Sequence, residues 1–497
     1  MSYSEGQKEL KTENFNHQVI RAAKWSGVTE IIAKIVTPVS SIVLARLLTP
    51  DAFGVVATIV MVISFAELFT DAGFQKYLIQ HEFKNLEDFG QSVNVAFWSN
   101  LIFSFILWGA ISFFADSLAT LVGSPGCGLV LIVACVSIPL EAFSSIQIAL
   151  HRRNLDFKTL FKVRIVSLLV PLFFTIPVAF FLRSYWALIW GMIIQNLFNA
   201  LLLTCYSNWK PALFYSYEKL KEMLSFTIWS LVESVSIWLT GYVDVFIVGT
   251  LLNQYYLGLY KTSMALVGQI TGLVTMATAP VLFSSLSRLQ NDEKEFKRVF
   301  LLFQKLISVL VIPMGGLIFC FSDTITLLAL GRKWIEAAHF IGLWGLTSSF
   351  MIVFSNYVCE IYRAKGLPKL SVLSQWLHLI VMCPVVLISV KYGFETLCTA
   401  RSLIRFQGLF VDLVLLYFLI RISPWQMLKN VMPSLVSSVV IVLFAYGMRA
   451  YIHTTVMNLI LMSFCAVLYT MLIWLFPYER KMIKSYLVKL PHNHAFS

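Results

Sequence analysis

The sequence contains about 14 apolar stretches that are each long enough to cross a lipid bilayer as a helix. A crossing takes about 20 residues, because the hydrocarbon core is about 30 Å thick and a helix rises about 1.5 Å per residue. Only 13% of the 497 residues are charged and the mean hydropathy is +0.77, which excludes a soluble protein of this length. We therefore predict an all-α, multi-pass membrane protein. The predicted spans are 22–48, 54–79, 91–114, 127–150, 162–182, 185–206, 223–250, 255–284, 299–322, 336–361, 370–390, 394–420, 430–450 and 455–477.

The net charge of +12 is distributed unevenly along the chain. With the N-terminus placed inside, 26 of the 38 Lys and Arg residues fall in the predicted inward segments. This asymmetry follows the positive-inside rule and predicts that both termini face the cytoplasm. The basic residues therefore indicate membrane orientation and no nucleic-acid partner. The most basic inward loop is His151–Lys158, for which an anionic lipid headgroup or a pyrophosphate is a candidate ligand, although membrane topology alone also explains its charge.

The sequence lacks the motifs of several enzyme classes. It has no P-loop, no zinc-protease or serine-hydrolase motif, and its eight cysteines are scattered without a CxxC pair. The polar N-terminal residues show no cleaved signal peptide. A membrane polymerase or ligase usually needs a sizeable outward loop, whereas no predicted outward loop exceeds about 15 residues. We therefore predict a protein that is not an enzyme and that has no cofactor, metal site or disulfide framework.

Two stretches of the sequence, 204 residues apart, share a pattern. Leu47-Leu48 and Gly54 correspond to Leu251-Leu252 and Gly258, the weak internal symmetry expected of transporters. Residues 207–222 form the longest plausible connector between the halves. Six spans return the chain to the side where it started, so the two lobes should be parallel repeats. The predicted divisions are a cytoplasmic tail at 1–21, a first lobe at 22–206, a second lobe at 207–422, two extra helices at 423–478 and a basic cytoplasmic tail at 479–497.

Charged residues in the first predicted span mark it as functional, because charge inside a membrane is costly. Glu30 and Lys34 are one helical turn apart and can form an ion pair. Pro38 follows Lys34 by four residues and leaves the Lys34 carbonyl without its helical partner, which predicts a bend suited to the wall of a hydrated cavity. The alternative is a packing kink, with Lys34 reaching for the membrane interface.

Later predicted spans carry further charges. Arg401 and Arg405 are one turn apart, and Asp412 lies two turns beyond Arg405. These three side chains line a cavity or hold neighbouring helices together, and the sequence leaves both readings open. The other acidic candidates are Asp71, Glu233 and Asp244. Asp71 lies in the second span or in a broken turn near its cytoplasmic edge.

Several stretches resemble one family of membrane transporters. Leu44–Gly54 (LARLLTPDAFG), followed by Asp71–Phe74, resembles the opening of polysaccharide-repeat-unit flippases, in the branch of the colanic acid and teichuronic acid exporters. His151–Lys158 (HRRNLDFK) is similar to the basic loop of that branch, and Asp244–Gly249 with Leu257–Tyr260 resembles its second-lobe hairpin. This family belongs to the multidrug/oligosaccharidyl-lipid/polysaccharide exporter superfamily.

The resemblance implies a V-shaped protein of two six-helix lobes plus two extra helices, with a central cavity that alternates between the faces of a bacterial inner membrane. The implied cargo is an undecaprenyl-pyrophosphate-linked oligosaccharide, moved to the outer leaflet for surface polysaccharide synthesis. A polysaccharide polymerase and chain-length-control proteins are the expected partners. By position, Lys34 and Lys261 would contact the pyrophosphate, with Arg401 and Arg405 as further cavity candidates. The predicted charge partners or ion-coupling groups are Glu30, Asp71, Glu233, Asp244 and Asp412.

Two other functions compete with this one. A cation-coupled multidrug exporter of the same superfamily would want a cavity dominated by carboxylates, whereas here lysines accompany the acids. A membrane polymerase or ligase is disfavoured by the short outward loops.

Overall fold

The computed structural model describes residues 2–70, 73–452, 454–477 and 479–481, and their backbone is almost entirely helical. The helices of the first half are α1 (Ser2–Leu47), α2 (Pro50–Thr70), α3 (Phe74–Gln80), α4 (Leu86–Phe113), α5 (Ala115–Leu121), α6 (Gly128–Ala134), α7 (Ser137–Arg153), α8 (Phe157–Val170), α9 (Ile176–Leu182), α10 (Trp186–Tyr206), α11 (Tyr217–Leu251) and α12 (Gln254–Arg288). Those of the second half are α13 (Glu293–Cys320), α14 (Ser322–Ala329), α15 (Ala338–Met351), α16 (Tyr357–Ala364), α17 (Pro368–Ser389), α18 (Phe394–Leu403), α19 (Arg405–Ile420), α20 (Pro424–Arg449) and α21 (Thr455–Trp474). One-turn π segments at Pro171–Thr175 and Ile352–Asn356 and 3₁₀ segments at Arg332–Ala337 and Val390–Tyr392 join some of them.

The number of membrane-spanning helices agrees with the sequence. Within the described residues, 13 helical stretches are long and apolar enough to cross a bilayer, and the count is 14 if the bent pair Gln254–Met276 and Thr278–Arg288 forms one span. The predicted multi-pass helical fold is therefore confirmed. The two spans with the shortest connections, predicted at 185–206 and 394–420, are present as Trp186–Tyr206 and Phe394–Ile420.

The second span ends earlier than the sequence predicts. The prediction extends it to residue 79, whereas α2 ends at Thr70 and α3 begins separately at Phe74. Gly73, the residue before α3, has φ of 83°, a left-handed conformation that glycine adopts at little cost. The chain therefore turns at this point, close to the broken turn considered for Asp71, and Asp71 itself lies outside the described residues.

The first helix is longer than its membrane span. α1 begins at Ser2, so the backbone of the predicted tail is helical over residues 2–21, while the span covers Lys24–Leu47. Pro38 lies inside α1, and the helix continues through it without a break.

The chain divides into two compact units, Met1–Lys261 and Thr262–Ser497. The predicted connector at 207–222 lies inside the first unit, where α11 packs against α2. In the second unit, α13 packs against α15 and α20 around buried side chains that include Phe300, Ile307 and Val431. The division into six-helix lobes and their V-shaped arrangement remain predictions.

The two corners that share the sequence repeat lie against each other in the first unit. A Cβ atom added to Gly54 would lie 1.8 Å from the Gln254 carbonyl oxygen, and one added to Gly258 would lie 1.9 Å from the Pro50 carbonyl oxygen. The first turns of α2 and α12 therefore meet backbone to backbone. This contact places the start of α12, and with it Lys261, beside α2.

Candidate functional site

A polar cavity of about 270 Å³ lies in the first unit, where α2, α4, α7 and α11 surround it. Two carboxylic acids line it, Glu67 of α2 and Glu141 of α7, together with Lys76 of α3. Hydroxyl and amide side chains complete the polar wall: Ser64, Thr70, Gln75, Asn100, Ser145 and Ser234. Both acids belong to membrane-spanning helices, where a carboxylate is costly unless it faces a polar space. The cavity therefore gives these two charges a hydrated environment.

Asn100 is the most buried polar residue of this cavity. Its amide nitrogen donates to Ser145 Oγ at 2.7 Å and to the Ala142 carbonyl oxygen at 3.3 Å. Its side-chain oxygen is buried and has no hydrogen-bond partner among the residues that the structure describes. An unpaired buried acceptor is costly, so this oxygen is a destabilising feature of the cavity wall.

An aromatic and cationic cluster adjoins the cavity. The Lys261 ammonium nitrogen lies 4.7 Å from the centroid of the Tyr242 ring, within the range of a cation–π interaction. Tyr242 stacks on Trp238 with ring centroids 5.4 Å apart. The Trp238 indole N–H donates to Ser64 Oγ at 3.0 Å, and Ser64 also lines the polar cavity. Lys261, predicted as a pyrophosphate contact, thus lies at one end of a chain of contacts that ends at Ser64, in the wall of the cavity that Glu67 and Glu141 also line.

Asp244 anchors the start of α12 to α11. Its side chain is 1% exposed, and the Tyr260 hydroxyl donates to its Oδ2 at 2.7 Å. Tyr260 directly precedes Lys261 in the chain. The contact therefore fixes the helical turn that carries the lysine, and it gives Asp244 a positioning role in addition to the charge-partner role predicted for it.

The predicted pair on α1 is not formed. Lys34 is half-buried and Glu30 is exposed, and no ion pair joins them although both side chains are described. Glu30 instead lines a second cavity, with Arg152 and Arg164. The side chain of Glu233, another predicted acid, lies outside the described residues.

In the second unit, two arginines surround one tryptophan. The Arg401 and Arg405 guanidinium carbons lie 5.1 Å and 3.9 Å from the ring centroid of Trp344. Arg405 also donates to the Thr347 and Ser348 hydroxyls of α15, at 3.2 Å and 2.7 Å. These contacts favour the helix-holding reading for Arg405, because they tie the start of α19 to α15.

Asp412 has hydroxyl partners on two other helical segments. Ser374 of α17 donates to its Oδ1 at 2.6 Å, and Ser355, in the π segment after α15, donates to its Oδ2. The carboxyl group is 5% exposed and therefore joins three segments of the second unit. The spacing of Asp412 from Arg405 on the sequence suggested paired charge, whereas the described bonds of Asp412 go to serines.

Sequence reasoning proposed Lys261 and Asp244 as site residues but did not predict the cavity beside them. Glu67 and Glu141 are visible as charges in the second and fourth spans, and no spacing rule links two residues on different helices. Trp238 and Tyr242 carry an i, i+4 aromatic spacing that is common in packed helices and gives no functional signal on its own.

The sequence and the fold were compared with known proteins. The family model described as "Polysaccharide biosynthesis protein" matches residues 43–339, more than half of the chain. The succinoglycan biosynthesis transport protein ExoT of Rhizobium meliloti is 22% identical over 334 residues, which are 67% of this chain and 66% of that protein. The lipopolysaccharide biosynthesis protein WzxC of Escherichia coli is 19% identical over 324 residues, 65% of each chain. The chain thus spans just under two thirds of the length of these two relatives.

A solved structure shares the fold over a greater length. The lipid II flippase MurJ, in an inward closed conformation, superposes with a TM-score of 0.74 at 15% identity, covering 92% of this chain and 99% of that one. At this identity the likeness is one of fold. The assignment to a family rests on the sequence match, which includes the Leu44–Gly54 corner, the His151–Lys158 loop and Lys261. The chain therefore belongs to the polysaccharide biosynthesis protein family.

Proposed function

We propose that this protein is a flippase that moves undecaprenyl-pyrophosphate-linked oligosaccharide repeat units from the cytoplasmic to the outer leaflet of a bacterial inner membrane. The observation that carries the proposal is Lys261, a cation of the bent helix α12 that stacks on Tyr242 beside a polar cavity. The names of the relatives, one a succinoglycan transport protein and one a lipopolysaccharide biosynthesis protein, support a cargo of this class.

The physical problem for such a cargo is its headgroup. A pyrophosphate with attached sugars cannot cross about 30 Å of hydrocarbon unaided, because it would lose its hydration. A cavity that offers ammonium groups and hydrogen-bonding side chains offsets that loss. The lipid tail can stay in the bilayer throughout, so the protein needs a polar path only for the headgroup.

The residues divide into proposed roles. Lys34 and Lys261, both in the first unit, bind the pyrophosphate, and Arg401 and Arg405 give further positive charge in the second unit. The stacked rings of Trp238 and Tyr242 offer an apolar face of the kind on which a sugar ring packs. The proposed charge partners or proton-coupling groups are Glu30, Asp71, Glu233, Asp244 and Asp412. Glu67 and Glu141 join them because they line the polar cavity.

The test is export in cells that depend on this protein. Lys34→Ala and Lys261→Ala should each reduce polymer export at least tenfold, because one charge-assisted contact to a phosphate contributes about 1.5–3 kcal/mol. Lys261→Arg should keep most of the activity, since it keeps the charge and the stacking on Tyr242. Lys333→Ala, which removes an exposed lysine from the 3₁₀ segment after α14, is the control and should export normally.

The lipid intermediates identify the step that fails. In cells without the protein, single lipid-linked repeat units should accumulate on the cytoplasmic leaflet. A polymerase would instead leave unpolymerised units on the outer leaflet, and a drug exporter would change neither pool. Normal export by both lysine variants, at wild-type levels in the membrane, would contradict the proposed pyrophosphate contacts. Normal lipid pools in the deletion strain would contradict the flippase function itself.

A further inference from the structure

The first unit contains a second cavity, of about 400 Å³, which shares only Glu30 with the residues proposed for transport. Four helices surround it: α1 near Glu30, the end of α7 at Arg152, the start of α8 up to Arg164, and the end of α10 near Asn199. Glu30 is six residues into its span, and Arg164 is seven residues beyond the first residue of its own. At about 1.5 Å per residue, both lie about 10 Å from the first residues of their membrane spans, the depth at which lipid headgroups meet acyl chains.

The hydrogen-bond donors that line this cavity keep N–H groups that are not bonded to other described residues of the protein. Arg164 is exposed and makes no ion pair or hydrogen bond with any residue in the described part of the chain. Arg152 makes one weak contact, at 3.3 Å to Gln75 Oε1. The side-chain oxygen of Asn199 accepts from Ser167, which turns the amide N–H groups of Asn199 away from that contact. Two guanidinium groups and one amide are therefore free to donate to the same ligand.

The neighbouring Arg153 differs from Arg152 and Arg164, because its guanidinium group is already bonded within the protein. Its guanidinium donates to the carbonyl oxygens of Leu78, Ile79 and His81, at 2.5, 3.3 and 3.0 Å. Arg153 thus has a structural role, whereas Arg152 lines the cavity. The positive-inside rule explains why the loop is basic, but it does not explain why Arg152 and Arg164, from two helices, share one cavity.

The rest of the wall is apolar. Leu160 and Phe161 of α8 and Leu203 of α10 line the cavity. Guanidinium groups above an apolar wall match an amphiphile that has a phosphate at one end and hydrocarbon at the other, and basic pockets between membrane helices are known to suit lipid headgroups. Glu30 is the acidic residue of this wall. With Arg152 and Arg164 it leaves a net charge of +1, which favours an anion.

We propose that this cavity binds the phosphate of an anionic membrane lipid through Arg152, Arg164 and Asn199. The lipid is a phospholipid of the bilayer or the phosphorylated polyprenyl carrier, which present the same group to the arginines. The site does not include Lys34 or Lys261, so loss of headgroup binding and loss of export are separate results.

The test measures lipid binding by the full-length protein in neutral detergent. Phosphatidylglycerol and undecaprenyl phosphate are added separately, and bound lipid is counted by native mass spectrometry, with phosphatidylcholine as the zwitterionic comparison. The Arg152→Gln/Arg164→Gln double variant should bind at least one of the two anionic lipids tenfold more weakly or worse. Lys158→Gln removes one charge from the same loop outside the cavity and should bind as the wild type does. Glu30→Gln should bind more tightly, because it removes the negative charge.

The two lipids identify the source of the ligand. A loss confined to phosphatidylglycerol assigns the cavity to a bilayer phospholipid, and a loss for undecaprenyl phosphate assigns it to the carrier. Each variant is first checked for an unchanged size-exclusion profile, and the two single arginine variants replace the double variant if that one does not fold. Wild-type binding of both lipids by the arginine variants would overturn the proposal, as would an equal loss in Lys158→Gln.

Discussion

Arg153 is the residue whose side chain does most to hold one end of the first unit together. The last carbonyl groups of a helix have no partner within the helix, and α3, which ends at Gln80, is only seven residues long. The Arg153 guanidinium donates hydrogen bonds to three carbonyl oxygens at the end of α3, and so supplies the partners that the helix lacks. It also lies 4.9 Å and 5.1 Å from the ring centroids of Phe83 and Phe89.

Arg153→Gln should therefore destabilise the protein by about 2 kcal/mol, because hydrogen bonds to a charged group contribute about 1.5–3 kcal/mol and the carbonyl groups would lose their donor. Arg153→Lys should fall between Gln and the wild type, since an ammonium keeps the charge but lacks the planar fork. Arg332→Gln, at an exposed position, is the control and should change stability by less than about 0.5 kcal/mol. Thermal unfolding in detergent measures all three, and equal midpoints for Gln and wild type at residue 153 would refute this role.

At the same scale, the sequence located charges but not their partners. Lys261 and Asp244 are recognisable because a charge inside an apolar run is rare. Their contacts with Tyr242 and Tyr260 depend on how α11 and α12 pack, and aromatic residues occur throughout this sequence, where 14% of residues are Phe, Trp or Tyr. The sequence therefore could not single out these two tyrosines. For the same reason it predicted a Glu30–Lys34 pair from spacing alone, whereas Glu30 lines a cavity that Lys34 does not line.

Between helices, the first turns of α2 and α12 meet backbone to backbone. Gly54→Ala or Gly258→Ala would place a methyl group within 2 Å of a backbone carbonyl oxygen, and backbone cannot move aside as a flexible side chain can. Each variant should lose about 1–3 kcal/mol of stability, the usual cost of overpacking. The double variant should lose less stability than the sum of the two single losses. The separation of the helices that the first methyl group forces also makes room for the second.

The matched control is Gly109→Ala, near the end of α4. Its added methyl group would meet no atom within 4 Å, so the substitution should leave stability unchanged or raise it by up to about 1 kcal/mol. Unfolding midpoints of the four variants in one detergent decide the matter. If Gly54→Ala behaves like Gly109→Ala, the two helices do not approach as closely as described here.

The elements themselves were largely predictable. Long apolar runs gave the spans, because the bilayer thickness sets their length, and the shared Leu-Leu and glycine pattern identified the two corners as equivalent. The contact between the two corners was not predictable, because a sequence repeat shows that two segments have the same pattern and does not show how far apart they lie. The second span was drawn to residue 79 although Asp71, Gln75 and Lys76 interrupt that stretch, and the exact end of α2 depends on the left-handed backbone of Gly73.

For the whole molecule, the side of the membrane on which each segment lies depends on whether α12 crosses the bilayer. The bent pair Gln254–Met276 and Thr278–Arg288 is the element that makes the span count 13 or 14. Four spans separate Ser124, between α5 and α6, from Asn253, between α11 and α12, so these two positions should lie on the same side. Asn291, between α12 and α13, lies on the opposite side only if the bent pair crosses the membrane.

Reporter fusions at these three positions test the prediction directly. The distribution of Lys and Arg places Ser124 and Asn253 outside and Asn291 inside, so a periplasm-active reporter should work at the first two positions and a cytoplasm-active one at the third. If all three positions report outside, α12 re-enters without crossing, and the segments after it have the reverse orientation. In that case the carboxyl end of the described chain would leave the cytoplasm, and parallel lobes could not be built from six crossings each. If Ser124 and Asn253 report inside and Asn291 reports outside, the span count is correct, but the charge asymmetry has been assigned to the wrong face of the membrane.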